Sequence, residues 1–220
     1  MKTRLALIAL ATLAACSSGP PVPDWKMNAQ SSLKRATDAY MDGKAQIEKN
    51  EFARARAEIG STGKLDLAIR AELIRCAART AALDFEECSG FEAMRADASA
   101  ADLAYAAYLA GRASQADAAL LPDPQRAVLA AGSDQAAAAA ANAIADPMSR
   151  LVAAGALFKA NRATPELIAQ AVETASGQGW RRALLAWLNV QALRADKAGD
   201  TAEAERIRRR IVLAETSAKR

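Results

Sequence analysis

The chain has 220 residues, a formal net charge of +4 and about half apolar content, with aromatics at only 5%. That length can bury one sizeable core as a single domain, and Ala, the best helix former and a poor strand former, dominates the apolar share. There is no histidine, which removes the commonest general base and the commonest metal ligand together.

Residues 1–4 carry Lys2 and Arg4, and residues 5–15 are an apolar-to-small run with one Thr. The run is too short to span a bilayer as a helix, which takes roughly 20 residues, and fits the apolar region of a signal peptide. It ends Leu13-Ala14-Ala15-Cys16, which resembles the lipobox of bacterial lipoproteins. The resemblance implies diacylglyceryl transfer to the Cys16 thiol, cleavage before it and acylation (typically with palmitate) of the new amine. Residues 1–15 are then lost, and the lipid bilayer is a partner through acylated Cys16. Each buried methylene contributes about 0.8 kcal/mol, so two or more chains anchor stably. In lipoproteins of enterobacterial type an Asp after the lipidated Cys retains the protein at the inner membrane. Ser17 stands there instead, which implies the outer membrane, facing the periplasm.

Residues 16–27 read as a tether, through Ser17-Ser18-Gly19-Pro20-Pro21-Val22-Pro23. Prolines favour an extended path that sets the domain roughly 20–25 Å off its anchor. Loss of Lys2 and Arg4 leaves 27 basic residues against 25 acidic ones, a balance that gives no argument for nucleic acid as a partner.

Residues 28–217 read as a single all-α domain. Ala29, Leu33, Ala36, Tyr40, Gly43 and Ile47 fall on one helical stripe, and Asn50-Glu51 interrupts it. Phe52, Ala55 and Ile59 form a second stripe that ends at residues 60–63. Leu65, Ile69, Leu73, Cys76, Thr80 and Leu83 line a third helix, followed by a break over 84–90. Shorter helices are predicted over 102–110, 114–121, 123–131, 134–145, 147–159, 164–176, 178–197 and 200–215. Asp146-Pro147 and Thr164-Pro165 place a cap before Pro at the first helical position, and Asp200 with Glu203 suggests a capping box. No stretch alternates with period two, so no sheet is expected.

Three segments share a layout: residues 50–55, 111–116 and 199–204 each run from a turn residue to an Ala five positions on. They resemble the inter-helix turn of tetratricopeptide-type repeats, which implies an irregular α-hairpin array of the solenoid kind. They begin 61 and 88 residues apart rather than at the family's roughly 34, so a compact helical bundle is the other architecture the pattern allows.

Ser31-Ser32-Leu33-Lys34 fits S-x-x-K, but the companion motifs and the α/β scaffold of that chemistry are missing, leaving a capped helix start. Residues 60–65 lack P-loop spacing. No cofactor or metal ligand set emerges, and no catalytic residue is assigned. Asp84, Glu86 and Glu87 supply enough acids for sugar chemistry in principle, which leaves a cell-wall enzyme or ligand-binding protein as the alternative. Trp180, Leu184, Trp187 and Gln191 follow helical spacing and read as core. Arg206, Arg208, Arg209 and Arg210 read as a solvated basic face, with anionic lipid as the rival reading.

Export to an oxidising compartment makes Cys76 and Cys88 a disulfide candidate. A helix from Cys76 to about Leu83 rises roughly 10 Å, and the chain returning to Cys88 spans enough to bring the Cα atoms near 5.5 Å. Two separately buried thiols are the alternative, since Cys76 lies on an apolar stripe. The sequence therefore describes a non-catalytic, membrane-anchored helical module with an envelope protein as partner.

Overall fold

The described residues of this computed structural model, 21–216, form eleven α-helices and two 3-10 segments and contain no strand. The lipobox and Cys16 lie outside the described residues. Helices α1 (Asp24–Met41) and α2 (Ala45–Gly60) run antiparallel, with Asn28 hydrogen-bonded to Glu58 and Arg35 to Glu51. Next come α3 (Leu65–Ala81), the short α4 (Ser89–Glu92), a 3-10 turn over Arg95–Asp97 and α5 (Ala100–Leu109). A second 3-10 segment (Gln115–Leu120) leads to α6 (Asp123–Ala130), α7 (Asp134–Asn142) and α8 (Pro147–Lys159). The chain closes with α9 (Pro165–Gln178), α10 (Arg181–Lys197) and α11 (Thr201–Thr216). None of these helices is long and apolar enough to cross a membrane.

One device ends six helices. The amide beyond the last helical turn reaches back five positions to a carbonyl: Lys44 to Ala39, Asp84 to Arg79, Arg112 to Ala107, Arg162 to Leu157, Trp180 to Ala175 and Asp200 to Ala195. The residue just before that amide is left-handed each time, as this type of helix stop requires. Gly occupies four of these sites, while Leu83 and Asn161 hold the same conformation with a side chain.

The first expected break is misplaced in the sequence reading. The chain turns at Asp42–Lys44, where Gly43 has φ +80°, and Asn50-Glu51 lie inside α2. Steps of three and four from Tyr40 to Gly43 and Ile47 happen to continue across the turn. Ile47 is therefore exposed, while Glu48, Phe52, Ala55 and Ile59 form the buried face. Residues 50–55 are thus no inter-helix turn, although Gly111 and Gly199 do open one. The expected helix over 114–121 is a 3-10 segment closed by Pro122, which pushes Leu121 into extended backbone at ψ 158°. Helix α7 stops at Asn142, α4 occupies part of the expected break, and α1 starts inside the expected tether.

One contiguous core runs from Tyr40 to Ile207. Its lining is rich in Ala, so helices α3 and α8 approach closely and Gly155 abuts the Thr80 carbonyl. Helix α10 joins distant elements: Arg182 Nε–H donates to the Tyr40 carbonyl (2.8 Å) and Trp187 Nε1–H to that of Ala81 (3.0 Å). In a solenoid each hairpin meets only its neighbours. The contact of α10 with α1 makes this a compact all-α bundle.

Candidate functional site

An open groove of about 1040 Å³ lies between α1, α3, the start of α8 and the α9–α10 junction. Its floor is apolar: Leu33 on α1, Leu67, Ala71 and Ile74 on α3, Met148 on α8, and Trp180 just before α10. Trp25 opens it, one residue into α1, with the Lys64 ammonium over its ring. The residues reach this surface because α3 carries two apolar stripes. Ile69, Leu73 and Cys76 face the interior, and Leu67, Ala71 and Ile74 follow a helical spacing on an adjacent face.

The rim is charged unevenly. Lys26 and Arg70 stand at the Trp25 end, and neither has a salt-bridge partner among the described residues. Asp38, Asp42 and Asp146 line the opposite part. There Asp38 pairs with Lys34 (2.6 Å), Asp42 with Lys44 (2.9 Å), and Asp146 caps α8 through the Ser149 amide. Lys34, the lysine of the S-x-x-K match, is thus bound to Asp38, and Ser31 faces solvent.

A smaller cavity of about 290 Å³ lies beside the loop that returns from α3. Asp84, Glu86 and Glu87 do come together there, but Arg79, Arg95, Arg112 and Lys159 stand among them. Asp84 accepts from the Tyr40 hydroxyl (2.8 Å), and Glu86 pairs with Arg79 (3.3 Å). Burial and the Asp84 carboxylate push the Tyr40 phenol far above its usual range, so it stays a donor to Asp84 at any physiological pH. Glu92, also in this wall, takes both of its contacts from Arg95, which holds its carboxyl below the usual range. The charges balance, and Asp84, Glu86 and Glu92 spend lone pairs on the fold, while Glu87 is exposed to solvent. No cluster of three or more metal-ligating side chains occurs among the described residues.

Cys76 and Cys88, 12 positions apart, bring their sulfur atoms to bonding distance with Cα atoms 5.9 Å apart. The pair fixes the loop against α3 where the fully buried Phe91 packs on Ile69 and Leu73. Opening a loop of this size should destabilise the domain by about 3 kcal/mol. The check is urea unfolding of oxidised against reduced protein; equal midpoints would contradict it.

Of the aromatic spacing read as core, Trp187 is fully buried, and Trp180, partly buried just before α10, packs against the core while also lining the groove. Arg206, Arg208 and Arg210 pair with Glu203, Asp196 and Glu173, as a solvated face does. The groove itself is absent from the sequence reading. Its one visible signal is the second apolar stripe of α3, where Ile74 stays 42% exposed. No family model matches the chain, and no curated protein or solved structure matches it either.

Proposed function

We propose that the chain is a bacterial envelope lipoprotein, held at the outer membrane through acylated Cys16, whose helical domain binds an envelope protein without catalysing a reaction. The observation that supports this reading is the groove. It is wide, open and apolar-floored, which suits recognition of a folded segment more than enclosure of a small reactant. Its Trp25 end begins within two residues of Pro23, so the tether would deliver this surface directly above the bilayer. In the periplasm Cys76 and Cys88 are joined, and the bridge keeps the α3–α4 loop in place.

Crosslinking followed by pull-down of the lipidated protein from detergent-solubilised envelopes tests this. One protein should be recovered with the wild type and lost with the groove variant Leu33→Asp, and stable Glu86→Ala and Glu87→Ala variants should complement a deletion fully. Failure of either glutamate variant to complement would transfer the case to a cell-wall enzyme working from the smaller cavity.

A further inference from the structure

The groove's dimensions and its charge say what kind of segment it holds. Its lining runs the length of α1, from Trp25 through Leu33 to Asp42, a distance that a helix of about 18 residues spans at roughly 1.5 Å per residue. Helix α1, which forms one wall, is itself 18 residues long. An open trough leaves the outer half of any occupant in water. An acyl chain there would keep much of its apolar surface wetted, at about 25 cal/mol per Å². An amphipathic helix turns a polar face outward and avoids that cost. We infer that the groove takes an amphipathic α-helix of a partner protein, seated along α1 with acidic residues against Lys26 and Arg70.

The polarity follows from which charges are already satisfied. Lys26 lies one turn before Ala29 on α1, and Ala29 packs with Ile59 and Ala71, so Arg70 beside Ala71 shares that end. Both cations are exposed and without a salt-bridge partner among the described residues. At the far end Lys34 and Lys44 already offset Asp38 and Asp42. The charge that selects the partner therefore sits at the Trp25 end. The partner's buried face reads as apolar residues at helical spacing, meeting Leu33, Leu67, Ile74 and Trp180.

This inference rests on the domain being an interaction module, and the test separates the two. Two synthetic 18-residue helical peptides share a Leu face at i, i+3, i+4 and i+7. One carries Glu in a terminal turn, and the other carries Lys there. Titrated against the full mature lipoprotein in detergent, the Glu peptide should bind about tenfold tighter at low salt. Lys26→Glu combined with Arg70→Glu should reverse the order, and added salt should narrow the gap. Equal affinities, no binding, or competition by phosphatidylglycerol vesicles but not by either peptide would overturn the inference, the last in favour of lipid. A photocrosslinker placed at Leu33 in cells should yield a protein adduct. Adducts from Leu213 on the exposed face of α11 but none from Leu33 would sink the groove while keeping the interaction module. None from either position would sink both.

Discussion

Replacing Trp187 by Ala should destabilise the domain by about 3–5 kcal/mol, a large share of the roughly 5–15 kcal/mol that holds a domain together. Trp187 is the largest fully buried side chain and makes an edge contact with Phe158 at 5.8 Å between ring centroids. Its indole also has a polar duty. The last carbonyls of α3 have no partner within the helix. Those of Ala78, Arg79 and Thr80 accept from the amides of Ala82, Asp84 and Leu83, whereas Ala81 accepts from Trp187 Nε1–H. Trp187→Phe keeps most of the packing but strands that carbonyl, so it should still cost about 1–3 kcal/mol. Thermal unfolding reads both: each kcal/mol moves the midpoint by about 2–4 °C for a domain of this size. A Trp187→Ala loss below about 1 kcal/mol would contradict the packing described for α10.

Gly155→Ala should also be destabilising, against the usual sign. Inside a helix, exchanging Gly for Ala normally gains up to about 1 kcal/mol. Here an added Cβ falls on the carbonyl of Thr80 in α3. That atom is backbone and cannot rotate aside, so α3 and α8 must separate. Overpacking of this kind costs about 1–3 kcal/mol, enough to reverse the propensity gain. Gly177 in α9 is the internal control, because a Cβ there meets nothing within 4 Å. Gly177→Ala should be neutral or stabilising while Gly155→Ala lowers the urea midpoint. Equal responses at the two positions would remove close approach as the reason for the glycine.

These two sites show what composition conveys and what it hides. The abundance of Ala announces helices, and the local start signals hold. Helix α8 begins at Pro147 with Asp146 capping Ser149, and α9 begins at Pro165 with Thr164 capping Leu167. Both signals are local, so they survive into the fold. The Cys76–Cys88 approach was legible for the same reason, since a helix and a short return fix its reach. The break at Gly43 was not, because the apolar spacing ran on across it. Leu83 and Asn161 stop their helices in a conformation that sequence readers assign to Gly, so neither announces itself. The groove depends on which face of α3 meets α8 and on α10 returning to α1. Tertiary packing decides both, and it leaves Trp180, just before α10, both packed against the core and lining the groove.

Whether the chain is a lipid-anchored module of the envelope is tested most directly by intact mass spectrometry of the protein extracted from membranes without reduction. The account predicts a chain beginning at Cys16, heavier by its acyl groups, and lighter by the two hydrogens lost on joining Cys76 to Cys88. A chain that begins elsewhere, or that begins at Cys16 without any added acyl mass, would contradict it.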